Sequence, residues 1–120
     1  MKIGEKIWHC KRVGIADNGV PIYAKPKEYE LRLNYLSVNP AITYLDTIKY
    51  GEKVHDIYNM VANKNVFDKV FTEGDVLYID GAEPPEKTDD NEYGDGANVL
   101  ITAVMPILKC INIKLEKIQP

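Results

Sequence analysis

Apolar and polar residues alternate along most of this chain with a period of two, the repeat of a strand whose successive side chains point to opposite faces. Residues 3–13 read as a first strand. Asp17-Asn18-Gly19 is a turn, because Asn-Gly tolerates the positive φ angles of a tight hairpin. Pro21 and Pro26 exclude a helix and confine residues 20–27 to an edge or a loop. The clearest alternation lies in 28–38, where Tyr29, Leu31, Leu33 and Tyr35 interleave with Glu28, Glu30, Arg32 and Asn34. That spacing predicts one strand with an apolar face and a wet face. Asn39-Pro40 ends it, and 41–49 resumes as a strand through Ile42, Tyr44 and Ile48.

Tyr50-Gly51 interrupts the rhythm. In 54–62, Val54, Ile57, Tyr58 and Val61 recur at helical spacing, so this stretch reads equally as a short helix or a strand. Residues 67–71 alternate again. Glu73-Gly74-Asp75 is a turn, and 76–80 is a nearly all-apolar strand of the kind that lies deep in a barrel or sandwich. Residues 82–98 have no periodic apolar face but two prolines and two glycines, which predicts a long surface loop. The end is a hairpin of 99–104 and 108–118 joined through Met105-Pro106-Ile107. In its second strand Cys110, Asn112, Lys114 and Glu116 alternate with Ile111, Ile113 and Leu115. The predicted fold is mainly β: a small antiparallel β-barrel or sandwich of about five to seven strands, with at most one short helix and a long acidic loop. At 120 residues the chain is one domain, 1–120, with 82–98 as its loop.

Composition sharpens this picture through charge. Hydrophobic residues make up 45% and charged residues 28%, which supports a folded core and argues against disorder. A net charge of −3 gives no basic excess for gripping a phosphate backbone. The charge is unevenly spread. Residues 82–98 hold six acids and one lysine, and the remainder holds 14 basic and 12 acidic residues. The loop is therefore either a solvated connector or an acidic arm that orders against a partner. Its candidate partner-facing or channel-facing residues are Glu83, Glu86, Asp89, Asp90, Glu92, Tyr93 and Asp95. No apolar run approaches the ~20 residues that cross a bilayer, and the start lacks a leader pattern, so a membrane is not expected and synthesis in a cytoplasm is.

Catalytic chemistry finds little footing. Ser37, the single serine, has no nucleophile-elbow sequence around it. Cys10 follows His9, but strand neighbours face opposite ways and cannot pair. Cys10 and Cys110 read as two free core thiols, with a disulfide between first and last strands as the alternative. His9 and His55 are far apart, without zinc spacing. Asp89, Asn91 and Gly94 match part of a calcium loop, but Tyr93 and Leu100 occupy ligand positions. Phosphate-binding glycine loops are absent. Neither an enzyme, a cofactor nor a metal is expected. Eight tyrosines raise the alternative of a nucleic-acid-binding barrel, although Tyr29 and Tyr35 fall on the apolar face.

One resemblance spans most of the chain. It rests on the Ile7-Trp8-His9-Cys10-Lys11 strand, the Tyr29-to-Tyr35 strand followed by Asn39-Pro40, and Tyr50-Gly51-Glu52. It continues through Phe71-Thr72-Glu73-Gly74-Asp75, the 76–81 run, and the closing pair 99–106 and 111–117. In this order of signals the chain resembles the head-closure, or head–tail connector (stopper), proteins of tailed bacteriophages. The resemblance implies a small β-barrel virion protein at the head–tail interface. It implies assembly with itself into a cyclic ring, a hexamer or dodecamer, with a portal or adaptor protein and tail proteins as neighbours. Duplex DNA would pass through without sequence-specific binding. The nearest alternative is a tail-terminator or other tail ring protein.

Overall fold

The computed structural model describes residues 2–40 and 56–118. The predicted strand at 41–49, the Tyr50-Gly51 break and His55 lie outside the described residues. The described residues form nine strands: β1 (Lys6–Cys10), β2 (Arg12–Ile15), β3 (Pro21–Tyr23), β4 (Lys27–Glu30), β5 (Leu36–Pro40), β6 (Ile57–Asn63), β7 (Val76–Tyr78), β8 (Val99–Ile107) and β9 (Cys110–Lys117). One four-residue helix, α1 (Lys64–Phe67), lies between β6 and β7. Seven strands form one antiparallel sheet in the order β4-β1-β7-β8-β9-β6-β5, and β2 and β3 form a separate hairpin. The fold is thus mainly β, sandwich-like and not a closed barrel.

The main sheet has the expected seven strands, and two of the predicted strands are broken. The first splits at Lys11 into β1 and β2. The second, 28–38, splits at residues 33–35, where Asn34 takes a φ of 58° that an asparagine tolerates. Arg32 and Leu36 bridge across this turn. Leu33 therefore does not join Leu31 on a buried face but stands 76% exposed. The turn also links β4 and β5, the two edge strands of the sheet.

The inner face holds Ile7, Leu36, Val38, Met60, Leu77, Ile79, Val99, Ile101, Ile111, Ile113 and Leu115. The ambiguous 54–62 stretch is strand from Ile57, with Met60 and Ala62 buried and Asn59 and Val61 exposed. Residues 67–71 are not a strand. Phe67 ends α1, and Phe67, Val70 and Phe71 face the core at spacings of three and four. Asn63 caps α1 by accepting from Asn65 N at 2.9 Å. Phe67 meets Tyr29, Tyr35 and Phe71 with ring centroids 4.9–5.4 Å apart.

The last hairpin is longer than expected. Met105, Pro106 and Ile107 belong to β8, and the turn is Leu108-Lys109. Pro106 fits because it lies on the outer stretch of β8, where β9 supplies the paired neighbour among the described residues.

Candidate assembly surfaces

The outer face of β1, β7 and β8 carries a second apolar layer of Cys10, Val76 and Tyr78, with Trp8, Tyr23, Ala97 and Leu100 against it. These residues alternate with the core-facing Ile7, His9, Leu77, Val99 and Ile101, so the sheet is buried on both sides here. Residues 82–98 supply the outer cover. The acidic loop is thus anchored to the body of the chain. Tyr78 Oη donates to Asp95 O at 2.6 Å. Asn98 accepts from Ile79 N through Oδ1 at 2.9 Å and donates to Ile79 O through Nδ2 at 2.8 Å, completing a strand-like pair with its side chain. Gly94, at φ 94°, presses against Tyr23, whose ring carbon lies 2.6 Å from where a Cβ would stand. A glycine is required there on both counts.

Within the loop, Asn91 donates to Glu86 O at 2.7 Å and accepts from Thr88 N at 2.8 Å, while Glu92 N donates to Asp95 Oδ2 at 2.9 Å. Lys87 turns its ammonium inward to the carbonyls of Thr88 and Asn91 and over the Tyr93 ring. Glu83, Glu86, Asp89, Asp90, Glu92 and Asp95 are all exposed. Tyr93 is half-buried and turns toward the body instead. With Trp8, Tyr78, Pro26, Pro84 and Pro85 it lines a groove of about 310 Å³, bordered by Glu92, Lys25 and Lys87. The structure brings Tyr93 and Glu92 to this groove, beside Lys25 and Lys87, and leaves the other carboxylates of 82–98 exposed.

At the other end of β8 the surface changes sign and polarity. Met105, Ile107 and Leu108 are exposed, Leu108 at 90%. Leu108 has φ 52°, a conformation usually left to Gly or Asn. Lys109 follows it, and Lys64 N donates to Lys109 O at 3.0 Å, placing a second lysine beside the tip. The β2–β3 hairpin is a further apolar projection, with Val13, Ile15, Val20 and Ile22 exposed.

The buried His9–Asp75 pair is one that sequence spacing did not reveal. His9 Nε2 and Asp75 Oδ2 are 2.8 Å apart and both residues are buried. Asp75 Oδ2 also accepts from Thr72 N at 3.0 Å, and Oδ1 accepts from Arg12 N at 2.9 Å and Thr72 Oγ1 at 3.0 Å. Burial pushes the Asp75 carboxyl up, but the His9, Arg12 and Thr72 hydrogen bonds outweigh it and hold it below its ordinary value. An ionised carboxylate only accepts, so His9 Nε2 carries the proton it donates. The Thr72-x-x-Asp75 spacing of the turn was the one available signal. Cys10 lies on the opposite face from His9, as strand geometry requires, and burial raises its thiol to about 11. Both cysteines are free; Cys110 is exposed and not a core thiol.

Among the described residues no group of three or more His, Cys, Asp and Glu is placed to hold a metal ion, and no helix is long and apolar enough to cross a membrane. Comparison with protein-family models, curated proteins and solved structures finds no match to this chain.

Proposed function

We propose that this chain is a structural virion subunit of a tailed phage, forming a ring at the head–tail connector that closes the DNA channel after packaging and offers the tail its attachment surface. The supporting observation is the apolar side chains on two hairpin surfaces, Val13, Ile15, Val20 and Ile22 on one and Met105, Ile107 and Leu108 on the other. Clustered exposed apolar residues mark surfaces that another protein covers. The sequence resemblance supplies the setting, and a ring supplies the cover through head-to-tail contacts that close. Within such a ring the carboxylates of 82–98 would repel passing DNA or meet a basic neighbour.

A tail-terminator ring makes the same use of these surfaces and differs only in its neighbours. The nucleic-acid-binding alternative has less support, since Tyr29 and Tyr35 are engaged with Phe67 and not presented for base stacking. The test is to mix the purified chain with the portal or adaptor protein of its virion and image the product by negative-stain electron microscopy. Rings of this chain stacked on the portal are expected. A chain that ignores portal, adaptor and tail proteins and remains a single copy contradicts the proposal.

A further inference from the structure

The β2–β3 hairpin stands apart from the seven-stranded sheet. A lone two-stranded hairpin is marginal in water unless one of its faces is covered. Val20 and Ile22 are two residues apart, so they share a face, and both are exposed. Opposite Ile22 stands Gly14, which has no side chain to lay over it, and a Cβ there would meet nothing within 4 Å. This face forms one wall of a cleft of about 500 Å³. The other wall is the 92–95 turn, held by the approach of Gly94 to Tyr23 and by the bond from Tyr78 Oη to Asp95 O. Tyr23 and Tyr93 line the cleft, and Glu92 and Asp95 add two carboxylates. Among the described residues no basic side chain lines it. Lys87 lies over the Tyr93 ring, but its ammonium is held by the carbonyls of Thr88 and Asn91. The cleft is therefore aliphatic on its hairpin side and negative on its loop side. A segment that fits it carries an aliphatic side chain next to a cation.

The turn between β8 and β9 carries that chemistry. Ile107 and Leu108 are exposed there and Lys109 follows them, also exposed. The bond from Lys64 N to Lys109 O brings a second lysine alongside. Leu108 adds an independent sign. A leucine in the left-handed region costs energy that a glycine would not, and here that conformation holds an apolar side chain in solvent. With its turn exposed and its cleft open, one copy does not fill its own cleft. We infer that the 107–109 turn of one copy docks in the cleft between the β2–β3 hairpin and the 92–95 turn of the next. Leu108 lies against Val20 and Ile22, and Lys109 faces Glu92 and Asp95. This inference rests on the ring reading, because it joins the two apolar surfaces that support that reading. The contact is heterologous, so each copy gives one turn and receives another, and the series ends when it closes on itself. The charged pairs set orientation and make assembly weaken with salt.

The test is a charge exchange in the full-length chain. Solution mass is read by light scattering at low salt, in whichever condition the wild type assembles: alone or with portal protein. The substituted side chains, Ile22, Glu92, Leu108 and Lys109, are all exposed, so the core is untouched. Ile22→Asp and Leu108→Glu are each expected to run as a single copy of 13.6 kDa. Glu92→Lys and Lys109→Glu should each raise the concentration needed for assembly by about tenfold, since each sets like charges face to face. A chain carrying both reversals re-forms the pair with its signs exchanged and should return toward the wild-type mass. Such rescue is not expected if each charge acts only within its own copy or toward a different protein. A ring that survives Ile22→Asp or Leu108→Glu, single reversals without effect, or reversals that do not rescue each other overturn the contact while the ring reading stands. A wild type that assembles in neither condition overturns both.

Discussion

Asp75 is fully buried yet charged, and its four hydrogen bonds explain why it is tolerated. They join the β1–β2 junction to the turn at 72–75, two segments far apart in sequence. Asp75→Asn would place an N–H group against donors that need an acceptor. A loss of about 2–4 kcal/mol is expected in denaturant unfolding, as when one partner of a buried pair is removed. The pH dependence has a definite sign. The folded carboxyl titrates below its ordinary value of 3.8, so its stabilisation is full above that value and is lost as pH falls through the lowered one. The denaturant-unfolding stabilities of wild type and Asp75→Asn should therefore converge toward low pH. Equal separation of the two at neutral and acid pH would contradict the assignment. The cysteines give a second residue-scale check. A maleimide should modify one thiol per native chain, Cys110, and reach Cys10 only after unfolding, because Cys10 is buried and its thiol titrates near 11.

At the scale of elements, the sequence was most legible where alternation is undisturbed. Ile111, Ile113 and Leu115 of β9 are buried as their spacing requires. The 76–80 run lies deep because it has a core on one side and the 82–98 loop on the other. Alternation misled at 28–38, where Asn34 turns the chain, and at 67–71, where the chain leaves α1 through a turn with Lys69 at φ 61°. It also misplaced the last turn, since Leu108-Lys109 lacks the residues that usually announce a hairpin. The loop at 82–98 was legible as a loop, but not its attachment, which depends on Tyr78, Asn98 and the close approach of Gly94 to Tyr23. Removing the Tyr78 hydroxyl tests that attachment. Tyr78→Phe should cost about 1 kcal/mol and speed amide exchange across 92–97 with little effect on β9. Unchanged exchange in the loop would show that the Asp95 carbonyl bond does not hold it.

For the molecule as a whole, the sequence carried the mainly β class and the acidity of 82–98. The opposition of two ends could not be read from it. That arises because β8 runs from the loop to the tip, which requires the register of β7, β8 and β9 to be known. It places the acidic 82–98 segment at one end of β8 and the exposed Ile107-Leu108-Lys109 turn at the other. A subunit whose two ends differ is suited to head-to-tail contacts. The most direct measurement is the solution mass of the wild-type chain by light scattering, from dilute solution upward and at low and high salt. The account predicts a discrete hexamer or dodecamer that loosens as salt rises. A mass of 13.6 kDa at every concentration and salt, unchanged when portal protein is added, would contradict it.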